Sequence, residues 1–253
     1  MWTDRDGREV DAPEPPPSGS YYQELGDFQG GAYARNAFAL GTAQEADFLW
    51  TALDLQAGDV VVDVGCGVGR HAHAFAQRGA HVVGIDISAG LLEAARQQPS
   101  RAAFVQADAR TIPLADGAAD AVICLCQGGF GVTPGGDREI MAEIARILRP
   151  AGRLALTAFS LPFAARFLGP DDAIDVARGL VWSPAEVRGA DDERRTYDLW
   201  TSCYSPGELT NMLLTCGFKL EILSGIEPGA YGHQPPTLQH PEFLALARRA
   251  NEH

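Results

Sequence analysis

The residues of this chain best suited to chemistry stand in one short stretch and two later acids. Asp63-Val-Gly65-Cys66-Gly67-Val-Gly69-Arg70-His71 places an acid and three alternating glycines directly behind an apolar run. Asp86, in "VVGIDIS", and Asp108, in "QADARTIPL", close the next two apolar runs. Glycine adopts backbone angles that other residues avoid and bares the main chain, so a turn of this kind lets amide groups approach a ligand closely. A helix opening near Arg70 adds its own free amides, and a carboxylate at a strand end can accept two donor hydrogens at once. The dinucleotide fingerprint requires glycine at the first, third and sixth positions, and counting from Gly65 the sixth is Arg70. Plainer roles stand beside these: Asp86 lies two residues before Ser88 and could cap the next helix, and Asp108 could close a turn with Ala109 and Arg110.

Such residues work only if regular elements bring them together. "AQEADFLWTALDL" (43–55) has Ala46, Leu49, Trp50 and Leu53 at helical spacing, and Val60–Val64, apolar on both faces, reads as a buried parallel strand. Beyond it, strand and helix alternate: "GRHAHAFAQRG" helix, "AHVVGIDI" strand, "SAGLLEAARQQ" helix, "AAFVQAD" and "ADAVICLC" strands, "GGDREIMAEIARILRPAG" helix, "RLALTAF" strand. That rhythm predicts a doubly wound α/β fold, a parallel sheet covered on both faces. After Phe159 it breaks, and 180–204 reads as an antiparallel hairpin around the polar turn Gly189–Glu193. A helix capped by Ser205 with Pro206 at its first position and two strands, near 219–223 and 243–247, close the chain. Residues 1–20, with Pro13, Pro15, Pro16 and Pro17, are expected to form a disordered tail.

The pattern Asp63-x-Gly65-x-Gly67-x-Gly69, followed in order by Asp86 and Asp108, resembles the cofactor motifs of class I S-adenosylmethionine-dependent methyltransferases, and the likeness runs from roughly Tyr21 to Arg248. It implies a seven-stranded, mostly parallel Rossmann-like sheet with an inserted antiparallel hairpin. A single domain, 21–253, is expected, with 21–42 as a cover segment and 160–204 as an inserted hairpin or lid. It implies S-adenosylmethionine as cofactor, held by Asp63, Gly65, Cys66, Gly67, Gly69, Arg70, Asp86, Ile87, Asp108, Ala109 and Gln127. Within that set Asp63 falls where the family keeps an acid near the methionyl amino group, and Asp108 where members hydrogen-bond the adenine amino group. Arg70 departs from the small residues common there; a cation at a helix start calls for a carboxylate partner, that of the cofactor or Asp63.

Aligning an acceptor with an already activated methyl needs no covalent nucleophile. The loop "CLCQGGFGVT" after the fourth strand should place Gln127, Phe130 and Thr133 near the methyl. It lacks the "NPPY" or "DPPY" signature that accompanies methylation of nucleobase or glutamine amides in related enzymes, which favours a small-molecule acceptor methylated on oxygen, nitrogen or sulfur. The leader is aromatic (Tyr21, Tyr22, Phe28, Tyr33, Phe38) and reads equally as a cover over the site or as a helix pinned to the core. Tyr21, Tyr33, Phe130, Trp200, Tyr204 and Tyr231 are the candidate acceptor contacts. Trp182, Tyr197 and His240 lie in the same late segments. His233 is a candidate general base, against the plainer reading of an exposed loop histidine. His71 and His73, two apart on a helix, face differently and do not suggest a shared metal.

With 33 acidic and 20 basic residues the chain carries a net charge of −13 and no dense Lys/Arg cluster, which argues against nucleic acid. No stretch approaches the length of a membrane span, and the charged, proline-rich start is unlike a secretory leader. A cytoplasmic protein, monomeric or homodimeric, is expected. Cys66, Cys124, Cys126, Cys203 and Cys216 lack zinc-site spacing and read as reduced thiols. Two alternatives remain open: a nicotinamide-dependent oxidoreductase and a non-catalytic S-adenosylmethionine-binding module.

Overall fold

In the computed structural model, which describes residues 1–16, 20–35, 41–126, 128–189 and 191–251, the valine run becomes strand β1 (Val60–Val64), paired in parallel with β2 (His81–Asp86) and β4 (Ala119–Cys124). A strand with neighbours on both edges and helices on both faces has no wet side, so its alternate residues feed two cores. Val62 and Val64 join one core with Ile140, Ile144 and Leu148, and Val61 joins the other with Leu49, Ala72 and Phe75. β3 (Ala103–Gln106) extends the sheet beyond β2, and β5 (Leu148–Ser160) extends it beyond β4. On the far edge β10 (Glu242–Arg249) lies antiparallel between β5 and β9 (Phe218–Ile226). The expected mostly parallel seven-stranded sheet is therefore present, in the order β3-β2-β1-β4-β5-β10-β9.

The helices follow their local signals. α2 (Thr42–Ala52) and α3 (Arg70–Gln77) cover one face, while α5 (Asp137–Ile147) and α7 (Pro206–Thr215) cover the other. α7 opens on a full capping box, Ser205 with Glu208, which satisfies two otherwise unpaired helix amides. α4 (Ala89–Arg96) begins where Ser88 Oγ accepts the Leu91 amide. β1 and β4 leave the sheet in opposite directions, and the crevice at their carboxyl ends is where this architecture accepts ligands.

Within the expected span the insertion holds more than a hairpin. α6 (Leu161–Phe167) leads to β6 (Ala173–Asp175), which pairs with β7 (Leu180–Arg188), and β7 pairs in turn with β8 (Arg194–Tyr204). β8 then runs parallel to the end of β5 at Phe159 and Ser160, so the insertion continues the main sheet.

The sequence predicts a floppy start, and the structure corrects this over residues 1–16; Pro17 lies outside the described residues. Trp2 is 6% exposed, Thr3 bridges Ile174, and the Met1 ammonium donates to buried Asp175 at 2.7 Å. Proline excludes a ladder, not packing, and Trp2, Val10 and Ala12 carry enough apolar surface to dock against the insertion. α1 (Ser20–Gln29) and the 3-10 turn Gly30–Arg35 then cross α4. There Asp27 Oδ1 accepts the Ser88 hydroxyl at 2.7 Å and the Gly90 amide at 2.9 Å. Among the described residues no helix is long and apolar enough to cross a membrane.

Candidate functional site

Three connected cavities open at the carboxyl ends of β1, β2 and β4. A cleft of about 660 Å³ runs over the glycine turn toward Asp108 and Ile140. A smaller one of about 410 Å³ lies between Asp63 and Arg70. A groove of about 1470 Å³ opens beneath α1 and the β7–β8 hairpin. Tyr33 and Cys126 line all three, and Tyr22 lines the cleft and the groove.

Two glycines fix the turn for different reasons. Gly65 has φ +69, and a Cβ there would stand 2.0 Å from the Gly128 carbonyl carbon, so the loops after β1 and β4 could not cross. Gly67 has φ +54, and a Cβ there would meet only the Tyr33 ring, at 3.5 Å, with the cavity beyond. Gly69 packs away from the cleft, against Phe104. Asp86 holds the turn: its Oδ2 accepts the Gly67 amide at 2.8 Å and its Oδ1 the Ser88 amide at 2.9 Å. Burial pushes the Asp86 carboxyl up, and the amides of Ser88, Gly67 and Ile87 oppose this. A carboxylate offers about four lone-pair sites, so with three amides around it acceptor capacity remains for a donor arriving from the cleft.

Asp63, 3% exposed, lines the smaller cavity, and burial raises its carboxyl to about 7, opposed by the Arg70 charge and the Ala72 amide. Cys66 is buried beside it. Arg70 lines the smaller cavity, and its carboxylate partner within the protein is Glu45 of α2, not Asp63, with Thr42 Oγ1 also accepting from Nη1 and Cys126 Sγ accepting from Nη2 at 2.8 Å. Glu45 is fully buried and also holds His71 Nε2 and the Gly229 amide, each at 2.8 Å. Those contacts satisfy the charge within the fold. Asp108, Ile87 and Ala109 line the far end of the cleft. Arg110 donates to Asp108 through Nε and Nη2, at 2.6–3.1 Å, and holds that carboxyl low. Asp108 thus closes its turn and faces the cleft at once. Gln127 lies outside the described residues, as does Phe38.

The structure separates the candidate acceptor contacts. Tyr33 lies on the cavities, and Thr133 lines the cleft. Phe130, 1% exposed, stacks on Tyr204 at 5.4 Å, and the Tyr204 hydroxyl donates to Asp137, so both belong to the core. The Tyr21 hydroxyl donates to the Val132 and Trp200 carbonyls, and Trp200 Nε1 to that of Pro13. These four residues join insertion to sheet and line neither cleft nor groove. Tyr231 is buried behind Cys126, its hydroxyl 3.9 Å from the thiol. His233 is exposed against Phe48 and lines none of the three cavities, which removes the geometric basis for a general base.

Sequence reading missed several residues. Tyr22, Leu25 and Gln29 line the groove from one face of α1; their spacing was readable once 20–29 is taken as a helix. Cys126, with φ +51, is a rare left-handed non-glycine at the junction of the cavities. Glu242, 5% exposed, heads β10 and lines the groove, and no local motif marks it. Among the described residues no cluster of His, Cys, Asp and Glu could hold a metal.

A crevice at the β1–β4 divergence, a glycine turn clasped by a strand-end acid, and a second groove opening onto the same walls define a Rossmann-like protein with a candidate cofactor site. A family model described as "Methyltransferase domain" matches residues 61–152. The demethylmenaquinone methyltransferase of Tropheryma whipplei (strain Twist) is 30% identical over 198 residues, 74% of this chain and 79% of that one. That of Clavibacter sepedonicus is 38% identical over 113 residues, an alignment that spans only 43% of that relative and 42% of this chain. Among solved structures, the CcbJ methyltransferase from Streptomyces caelestis superposes with a TM-score of 0.72 at 17% identity, over 89% of this chain and 98% of that one. The chain belongs to the class I S-adenosylmethionine-dependent methyltransferase family.

Proposed function

We propose that this protein transfers a methyl group from S-adenosylmethionine to an oxygen, nitrogen or sulfur of a small molecule. The observation that carries this reading is the meeting of the cleft and the groove at Tyr22, Tyr33 and Cys126, which gives cofactor and acceptor separate seats with one shared wall. The residues fit the cofactor by chemistry. Asp63 suits the amino group of the charged methionyl end, the glycine turn lets the cofactor approach the main chain closely, Asp86 retains acceptor capacity for a ribose hydroxyl, and Asp108, Ile87 and Ala109 suit the adenine end. When bound, the cofactor supplies a methyl on a positively charged sulfur, already activated toward attack. The protein's part is to align the acceptor and exclude water, and alignment of this kind is worth about 7–11 kcal/mol. The walls of the groove are built for it: Leu25, Ala32, Phe159 and Leu199 are apolar and tyrosines flank the junction.

The test is calorimetric titration with S-adenosylhomocysteine of the wild type and Asp86→Ala. Removing charge-assisted hydrogen bonds worth about 1.5–3 kcal/mol each should weaken binding by about tenfold or more per bond. Absence of heat in the wild type, or unchanged affinity in the variant, overturns the proposal.

A further inference from the structure

Glu242 stands out among the buried groups that the proposed function leaves unused. It sits at the head of β10, opposite Ile226 and Phe159, and is 5% exposed. The other charged residues lining the groove are paired at its rim: Arg35 and Arg188 with Asp192, at 3.9 and 3.7 Å, and Glu186 with Arg194. The Glu242 carboxyl has no hydrogen bond or ion pair with any described residue. Arg70 and Glu45 act on it with opposite signs, and Arg70 is already committed to Glu45 and Cys126. The remaining titratable groups around it, Cys126, Tyr231, Tyr22 and Tyr33, bring no positive charge. A carboxyl taken from water without a partner is costly, and an occupant of the groove can supply one.

We propose that the groove takes a basic amine as methyl acceptor, with Glu242 as the group that anchors its ammonium and receives its proton. This rests on the methyltransferase reading and specifies its substrate class. An ammonium brings both the missing charge and several donors, whereas an alcohol brings one donor and no charge. Tyrosine walls tolerate a cation, and the net charge of −13 favours cationic ligands over anionic ones. In the transfer one ammonium N–H bond breaks and its proton passes to the Glu242 carboxylate. The freed nitrogen pair bonds the methyl carbon as the carbon–sulfur pair leaves with sulfur. The product is a methylammonium, and Glu242 is left protonated.

The experiment uses the full chain saturated with S-adenosylhomocysteine. Benzylamine and cyclohexylamine are titrated at millimolar concentration against benzyl alcohol and cyclohexanol, in two buffers of different ionisation enthalpy. Burial raises Glu242 to about 8, so it is largely protonated at pH 7, and capture of an ammonium must expel close to one proton. The expected result is that the amines bind about tenfold tighter than the alcohols or better, with that proton released. Glu242→Gln should erase both the preference and the release while leaving S-adenosylhomocysteine affinity unchanged. Equal binding of amines and alcohols, no amine binding, no proton release, or a preference that survives in Glu242→Gln overturns the proposal. Failure of the wild type to bind S-adenosylhomocysteine overturns the methyltransferase reading instead, and the amine titration repeated without it still decides the role of Glu242.

Discussion

Alanine at Gly65 and at Gly67 should damage the protein in different ways. Both positions have positive φ, +69 and +54, which costs an L-residue about 1–2 kcal/mol. At Gly65 the added Cβ would stand 2.0 Å from the Gly128 carbonyl carbon. Ordinary contact begins near 3.4 Å, so one loop must retreat by roughly 1.4 Å. Overpacking of that kind costs about 1–3 kcal/mol, and with the backbone strain Gly65→Ala should lose about 2–5 kcal/mol of folding stability. At Gly67 the Cβ meets only the Tyr33 ring, at 3.5 Å. Gly67→Ala should therefore lose only the strain, about 1–2 kcal/mol, yet put a methyl where the ligand must approach the main chain. Urea unfolding reads the first quantity, and calorimetry with S-adenosylhomocysteine reads the second. The expected pattern is a large stability loss at Gly65 and a binding loss out of proportion to stability at Gly67. Equal stability losses, or a Gly67→Ala variant that binds normally, refutes the assignment of one glycine to packing and the other to the ligand.

Further predictions follow the same geometry. Asp63 is raised by burial from 3.8 to about 7, so its contribution to stability is full below the lower value and is lost as pH rises through the upper. Asp63→Asn should gain up to about 4 kcal/mol at pH 8 and little at pH 4, read by unfolding at both; a gain independent of pH contradicts the burial argument. A cationic amino group nearby favours ionised Asp63, so S-adenosylhomocysteine affinity should fall toward about tenfold per pH unit below 7, and a flat profile from pH 5.5 to 8 rejects that contact. Glu45→Ala leaves Arg70 in a mostly buried site without its carboxylate and should cost about 3–5 kcal/mol by chemical denaturation. Trp2→Ala should cost about 3 kcal/mol, and a neutral effect would mean that the first residues do not pack in solution.

What could be read from the sequence was local. The valine run, the glycine spacing and the acids at strand ends are each written within a few neighbouring residues, and each is enforced by short-range rules of backbone angle, periodicity and capping. The groove obeys no such rule. Its walls come from α1, the β7–β8 hairpin and the head of β10, segments that meet only after the sheet has closed. Tyr21 and Tyr22 are equal in composition, and only the rotation of a helix decides that one is spent on the Val132 and Trp200 carbonyls and the other faces the cavity. Phe130 and Tyr204 show the same limit: aromatic type and nearness in sequence to a site suggest contact with it, but burial of their large apolar area against each other wins. Arg70 found Glu45 because a cation at a helix start is answered by whatever carboxylate the tertiary fold delivers, and α2 delivers one that no motif announces. Glu242 is the inverse case, a carboxylate to which the fold delivers no cation. Proteins seldom bury an acid without a partner for no reason, so the residue least visible in the sequence is the one that says most about what enters the groove.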